Sequence, residues 1–169
     1  MKEVMLMKKN ISKIFIAAIL ILLLSTGCNK EVTNKKEENL TSDLSSIMKE
    51  IYSNSKIPED ELPILVDTNI TDENKEYYLG SSNISIKDGL ASEPAVGSVA
   101  HSVVLIRIDD LSKIETVKNT IKENINPYKW ICVGVEKKDV IVDSYGDIVI
   151  LIMSSNSTKL HEGFKKVIS

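Results

Sequence analysis

The sequence VAHSVVLIRI, residues 99–108, decides the fold. Side chains of an extended strand alternate between its two faces. One face of this strand therefore carries Ala100, Ser102, Val104, Ile106 and Ile108, and the other carries Val99, His101, Val103, Leu105 and Arg107. The first face is predicted to lie in the core. A second run, IVILIM at residues 148–153, is apolar at every position, which is typical of a strand buried on both faces.

Further elements surround these two runs. Apolar side chains recur at helical spacing at residues 40–53, 111–125 and 157–168. Shorter strands are predicted at residues 84–94, 131–136 and 140–143, whereas residues 56–70 are interpreted as an irregular connection. Counted coarsely, the order is α-β-β-α-β-β-α. This order predicts an α+β fold, a two-layer sandwich in which helices pack on one face of a mainly antiparallel sheet.

Polar residues mark where the predicted helices begin. Thr41, Ser42 and Asp43 are N-cap candidates for the first helix, and Asp110 is the candidate for the second long helix. The stretch at residues 71–79 is interpreted as a capped helical turn that presents two tyrosines and a leucine to the core.

The first 28 residues have the layout of an export signal. A basic stretch with Lys2, Lys8, Lys9 and Lys13 precedes an apolar run at residues 14–24. These eleven apolar residues span only about 17 Å as a helix, against about 30 Å for the hydrocarbon core of a membrane. The pattern therefore favours cleavage over a permanent membrane-spanning helix.

The junction Leu24-Ser25-Thr26-Gly27-Cys28 resembles the lipobox of bacterial lipoproteins. The resemblance implies cleavage before Cys28 and a diacylglycerol on its thiol, so that residues 1–27 are the signal peptide. An ordinary signal peptide with a chance cysteine is the alternative. Residues 28–39 are then the lipidated Cys and a flexible charged tether, and residues 40–169 are predicted to form a single α+β domain.

Charge excludes one class of partner. The chain has a formal net charge of −3 and no basic tract beyond its first 13 residues, so it lacks the electrostatic footprint of a nucleic-acid-binding protein. The first 27 residues hold four Lys and one Glu, so the remainder carries 17 basic and 23 acidic side chains, a net charge of −6. Anionic headgroups repel such a body. Adhesion to the membrane is therefore predicted to come from the lipid, for which two acyl chains suffice.

The order of several segments is similar to that of a known family. Besides the lipobox and the charged tether, these segments are Tyr77-Tyr78-Leu79, HSVVLIRIDD at residues 101–110, Asn126-Pro127-Tyr128, and GDIVIL at residues 146–151 before a final helix. Over about residues 40–168 the chain resembles the Gram-positive lipoprotein family known as domain of unknown function 4358. That family has no assigned activity, so the resemblance implies no catalytic residue.

The residues offer little for metal chemistry. His101 and His161 fall on different predicted elements without a second Cys or His nearby, whereas a zinc site needs three or four protein ligands. The spacing of a calcium loop begins at Asp67, but Asp72 and Tyr78 stand where such a loop requires Gly and Glu. No metal or cofactor is predicted.

Three other residue types invite a functional reading. Cys132 has no partner if Cys28 is acylated, and it is predicted to be a buried, unreactive side chain. Arg107, the only Arg in the chain, is predicted to pair with a carboxylate such as Asp109 or Glu93 at the rim of the sheet. Tyr128 with Trp130 is the best candidate for an exposed aromatic surface.

Together these observations predict a lipoprotein on the extracytoplasmic face of the cell membrane whose monomeric domain binds or scaffolds a partner, without enzyme activity. A cell-envelope hydrolase with a site not recognisable in the sequence is the alternative. The predicted partner-binding face consists of His101, Leu105 and Arg107, because an apolar centre combined with His and Arg is typical of interfaces. The alternative is that a loop such as residues 53–70 covers this face, so that its side chains belong to the core.

Overall fold

Five strands form one sheet in the computed structural model, which describes residues 40–169. The strands are β1 (Leu65–Asn69), β2 (Asp88–Pro94), β3 (His101–Arg107), β4 (Val140–Tyr145) and β5 (Ile148–Ser154). Their spatial order is β1-β2-β3-β5-β4, and every neighbouring pair is antiparallel. The predicted α+β class and antiparallel sheet are confirmed.

Four α-helices accompany the sheet in the described part of the chain. They are α1 (Leu44–Ser55), α2 (Lys75–Leu79), α3 (Ile114–Asn124) and α4 (Ser157–Val167), with short 3-10 turns at Glu59–Glu61, Leu111–Lys113 and Lys137–Asp139. Asp43 caps α1 by accepting a hydrogen bond of 2.9 Å from the backbone N–H of Ser46. Asp110, predicted to cap the second long helix, accepts from the backbone N–H of Ser112 at 3.1 Å and so caps the 3-10 turn that leads into α3.

Helices cover both faces of the sheet. On one face, α1 and α4 pack their apolar side chains onto Leu105, Ile150 and other residues of β2, β3 and β5. On the other face, α3 packs onto Val104, Leu151 and their neighbours. The layers are therefore helix, sheet, helix, instead of helices on one face alone. The reason is that β3 and β5 are buried at all seven positions each, so either face left bare would expose apolar side chains to water.

A glycine allows the two helices of the first layer to approach each other closely. A Cβ atom at Gly163 of α4 would collide with the backbone carbonyl oxygen of Ile51 in α1. Only a glycine therefore fits at this contact, and α1 and α4 pack backbone to backbone on β3 and β5.

Three local predictions are wrong. Residues 131–136, predicted as a strand, are irregular; the N–H of Ile131 bonds to the carbonyl of Gly97 and the N–H of Val135 to that of Pro127, instead of joining a ladder. Cys132, predicted to be buried, is exposed and has a φ of 59°. Conversely, β1 lies within the segment that was interpreted as irregular, because a short edge strand lacks the continuous apolar run of a buried one.

No helix among residues 40–169 is long and apolar enough to cross a membrane. The predicted signal peptide at residues 1–27, the lipidation site Cys28 and the tether at residues 28–39 lie outside the described residues.

Candidate interaction surface

The face predicted to bind a partner is interior. His101 is 3% exposed, Leu105 0% and Arg107 8%. The reason is that α1 and α4 pack over this side of β3. The alternative prediction, that this face is covered and belongs to the core, is therefore correct in outcome, although two helices cover the face and not a loop alone. No partner reaches these three side chains in the folded domain.

His101 instead belongs to a buried polar network. Its Nε2 lies 2.8 Å from the hydroxyl of Tyr52 on α1, and its Nδ1 lies 3.0 Å from the hydroxyl of Ser154 on β5. Burial lowers the pKa of His101 to about 4, although Glu93 opposes the shift. A neutral imidazole can satisfy both hydroxyls in this position. The network therefore holds the end of the sheet to α1.

Arg107 forms the corresponding network at the opposite end of β3. Its guanidinium donates to both carboxylate oxygens of Asp147, at 3.0 and 2.8 Å, and lies 3.5 Å from Asp88. It also donates to the backbone carbonyls of Leu40 and Ser42, just before α1. The predicted partners Asp109 and Glu93 are wrong. The actual pairing follows from the β4–β5 turn, which brings Asp147 to the end of β3.

Exposed apolar side chains concentrate at one end of the domain. Eight large hydrophobic side chains are exposed among the described residues, and seven of them belong to four segments that meet there. We call these seven residues the apolar end: Ile64, Val66, Tyr77, Val96, Val99, Tyr128 and Ile131. The eighth, Leu111, follows the opposite end of β3.

Backbone contacts join the segments of the apolar end. The N–H of Ala95 donates to the carbonyl of Ile64 at 2.9 Å, which fixes the start of β1 beside the end of β2. The N–H of Ile131 donates to the carbonyl of Gly97 at 2.8 Å, so the loop at residues 127–136 is bound to the β2–β3 connection. The ring of Tyr128 packs against Gly134, where a Cβ would collide with it. These contacts place apolar groups from distant parts of the sequence on one surface.

Beneath this surface lies a buried ion pair. Lys129 Nζ is 2.6 Å from Glu93 Oε1, and the two side chains are only 4% and 14% exposed. Neither of these two atoms has a further hydrogen-bond partner within residues 40–169. Burial lowers the pKa of Lys129, while the charge of Glu93 acts in the opposite direction.

Three aromatic rings surround the same ammonium group. Lys129 Nζ lies 4.3 Å from the ring centre of Tyr77, 5.0 Å from that of Tyr78 and 5.5 Å from that of Trp130. Cation–π attraction of this kind strengthens when the cation is desolvated. Burial, together with the neighbouring charge of Glu93, raises the pKa of the Tyr77 hydroxyl to about 12. The lysine thus connects α2, β2 and the loop at residues 127–136 into one support.

Two shallow cavities border this loop. One, of about 460 Å³, is lined by residues of the β2–β3 connection, including Val99, and by residues 133–136. The other, of about 270 Å³, is lined by Tyr128, Trp130 and residues 132–134. The two residues predicted to form an exposed aromatic surface therefore differ in burial: Tyr128 is exposed, whereas Trp130 is buried beside Lys129.

The second histidine lies at another edge of the domain. His161 Nε2 is 2.6 Å from Asp143 Oδ2 on β4. No group of three His, Cys, Asp or Glu side chains in the described residues is arranged to hold a metal ion. The loop that starts at Asp67 has another arrangement: the Asn74 side chain accepts from the Thr71 N–H and donates to the Asn69 carbonyl.

Sequence reasoning missed most of this surface. Lys129 and Glu93 are 36 positions apart in the chain, and nothing in their local sequence indicates that they pair. No family model, curated protein or solved structure matches the chain, so no relative identifies a site. The resemblance drawn from the order of sequence segments stays a prediction.

Proposed function

We propose that this protein is a lipid-anchored lipoprotein on the extracytoplasmic face of the cell membrane, and that its domain binds another envelope protein through the apolar end without catalysing a reaction. The observation that carries the binding role is the gathering of seven of eight exposed large hydrophobic side chains at that end. Concentrated apolar exposure marks interaction sites, whereas scattered exposure needs no explanation.

The construction of the surface supports the same role. Tyrosines and aliphatic side chains form the exposed layer, and the charged pair of Lys129 and Glu93 lies beneath it. Interfaces are enriched in aromatic residues and depleted of Lys and Glu at their centre. The buried pair also holds the loop in place, so less conformational entropy is lost when a partner binds.

The hydrolase alternative has one contact in its favour, the 3.0 Å approach of Ser154 Oγ to His101 Nδ1. Both side chains are buried, at 2% and 3% exposure, and α1 lies over them. A substrate would have to displace Tyr52 and α1 to reach the serine. Binding is therefore the better reading.

The anchor is tested in a Gram-positive host that lipidates its exported proteins. The wild-type chain is expected in the membrane fraction, with a mass that corresponds to a start at Cys28 plus a diacylglycerol. The Cys28→Ser variant is expected to lose this modification and to leave the membrane. An unmodified wild-type chain, or a membrane fraction unaffected by Cys28→Ser, would contradict the anchor.

The binding role is tested in the same cells by site-specific photo-crosslinking. A photoreactive amino acid at Ile131 is expected to crosslink one defined protein, and the same group at Leu111 serves as the matched control because Leu111 is also exposed but lies elsewhere. Equal crosslinking from both positions, or none from Ile131, would show that the apolar end is not the binding surface.

A further inference from the structure

The open edge of β1 carries unused backbone hydrogen-bonding groups. The N–H of Ala95 donates to the carbonyl of Ile64, and the N–H of Ile70 donates to that of Gly89, both at 2.9 Å. Hydrogen-bonded pairs alternate along an antiparallel ladder. Even-numbered residues of β1 therefore bond to β2, and Leu65, Asp67 and Asn69 direct their backbone groups away from the sheet.

One end of this edge is capped and the remainder is open. The carbonyl of Asn69 accepts a hydrogen bond of 3.0 Å from the side chain of Asn74. Within residues 40–169, no hydrogen bond reaches the outward N–H or C=O of Leu65 or Asp67. A strand edge of this kind is a template for another strand.

The side chains along β1 differ between its two faces. Val66, opposite Glu93 in the register, lies on the α3 face and is 50% exposed, and Ile64 just before the strand is 83% exposed. Asp67 lies on the α1 face and is also exposed. An added strand would thus meet apolar groups on one face and a carboxylate on the other.

The surroundings of this edge are acidic. Residues 59–76 contain seven carboxylates and a single basic residue, Lys75. That lysine is already paired with Asp72 at 2.7 Å. The Glu59–Glu61 turn before β1 supplies three of the seven carboxylates, all on exposed residues, and in the described part of the chain only Glu61 of these is paired, with Lys159 at 3.3 Å. The field at β1 therefore favours a cationic partner.

From this geometry we infer that β1 binds an extended segment of another polypeptide as a sixth strand, and that this segment alternates apolar with basic residues. This inference rests on the proposed binding function and specifies its partner. Backbone hydrogen bonds to Leu65 and Asp67 hold the strand, as in other cases of strand addition. Apolar side chains contact Ile64 and Val66, and basic side chains face Asp67.

The test uses a fluorescent peptide of about six alternating Lys and Val residues, the usual length of a strand, at about 0.15 M salt. The wild-type protein is expected to bind it, and Asp67→Pro is expected to weaken binding about tenfold or more, because it removes an outward N–H and inserts a ring at the edge. The same substitution on the opposite edge strand, Ser144→Pro, is expected to leave peptide binding unchanged. Equal losses in the two variants would overturn the proposal.

A charge exchange keeps the test decisive if a proline variant fails to fold. Asp67→Lys alters an exposed side chain, so its stability is expected to stay near that of the wild type. It is expected to weaken binding of the Lys/Val peptide and to gain binding of a Glu/Val peptide of equal length. If the wild type binds both peptides equally, the charge argument is wrong.

The inference can fail while the proposed function survives. Absence of peptide binding, together with crosslinking from Ile131 alone, would overturn the strand addition and retain the apolar end as a binding surface. A dimer in sedimentation velocity that Asp67→Pro dissociates would replace the basic segment by β1 of a second copy.

Discussion

The two edge strands of the sheet differ in how their outer sides are treated. At β4, the N–H of Ser144 is bonded to the side chain of Asp143 at 2.9 Å, and Asp143 is held by His161 from α4. At β1, Leu65 and Asp67 present backbone groups that no hydrogen bond within residues 40–169 uses. None of the exposed large hydrophobic side chains in the described residues belongs to β4, whereas Val66 belongs to β1.

This difference bears on function because an open edge is a liability that proteins normally cover or charge. The domain protects one edge with a carboxylate and a histidine, so the chain has the means to do so. Among residues 40–169, no hydrogen bond covers the outward backbone groups of Leu65 and Asp67 on the other edge, which lies beside the apolar end and its buried ion pair. The asymmetry therefore supports our proposal that β1 and its surroundings bind a partner.

The largest expected effect concerns the ion pair of Lys129 and Glu93 beneath the apolar end. Glu93→Gln leaves the ammonium group of Lys129 buried without a counter-charge, and removal of one member of a buried pair costs about 3 to 5 kcal/mol of unfolding free energy. Because the pKa of Lys129 is already lowered, higher pH should neutralise the lysine and restore part of the loss. Urea unfolding at two pH values measures both effects.

The matched control is Glu136→Gln, which breaks an ion pair with Lys138 in which both side chains are exposed. Solvent screens the two charges of such an exposed pair, so its loss is expected to change the free energy of unfolding little. If the two variants lost similar amounts, the pair beneath the apolar end would not be the support that its burial indicates.

The next effect is a loss of unfolding free energy at acid pH. The pKa of His101 is about 4 in the folded domain, against an ordinary value of 6.5. The unfolded chain therefore binds a proton before the folded chain does, and stability present above pH 6.5 is lost as the pH falls towards 4. The expected loss from this group is about 3 kcal/mol. It is measured as the difference in pH dependence of the unfolding free energy between wild type and His101→Gln.

The histidine of the β4 edge provides the contrast. The pKa of Asp143 is lowered on balance: burial raises it, but hydrogen bonds from His161 and from the Ser144 backbone, together with the charge of His161, lower it more. This stability is present above the ordinary pKa of an aspartate and is lost only as the pH falls below about 4. Removing the His161 side chain should therefore leave the pH dependence of the unfolding free energy between pH 6.5 and 4.5 largely unchanged. If this pH dependence flattened equally when His101 or His161 was replaced, its assignment to His101 would be refuted.

A smaller change in the free energy of unfolding is expected from substitution of Gly163, which lies in α4, the helix that contacts β4. Alanine normally stabilises a helix by about 1 kcal/mol relative to glycine. In α4, however, Gly163→Ala drives a methyl group into the carbonyl of Ile51, and overpacking of this kind costs about 1 to 3 kcal/mol.

Gly97 is the control for this substitution at the apolar end. A Cβ there would lie 3.5 Å from the side chain of Ile131, which is an ordinary contact. Thermal unfolding should thus separate a destabilised Gly163→Ala from a nearly unchanged Gly97→Ala. A stabilised Gly163→Ala would show that α1 and α4 are farther apart than the structure has them.

The smallest effect tests the two edges directly. Val66→Ser on β1 is expected to change the free energy of unfolding by less than about 0.5 kcal/mol, because the side chain is half exposed and packs little. Val142→Ser on β4 removes a buried side chain and is expected to cost more. Equal costs in chemical denaturation would mean that β1 is covered in solution.

Local sequence predicted the elements whose signals are local. The unbroken apolar run of β5 and the helical spacing in α1, α3 and α4 were correctly interpreted, and Asp43, one of three candidates, caps α1. Asp110 caps the 3-10 turn that leads into α3. The failures have a common cause. Residues 131–136 are apolar like a strand, yet their backbone bonds to Gly97 and Pro127, and such partners are visible only in three dimensions.

By itself, the sequence determined the α+β class, the burial of one face of β3 and of both faces of β5, and the acidic character of the chain, because these follow from composition and from short-range periodicity. The tertiary structure alone decided that helices cover both faces of the sheet and that His101 and Arg107 are interior. It also decided that Lys129 meets Glu93 within an aromatic cage, and that β1, which is an open edge among the described residues, lies at the apolar end. These features depend on contacts between residues far apart in the chain, and the free energy of such contacts arises only when folding removes their side chains from water together.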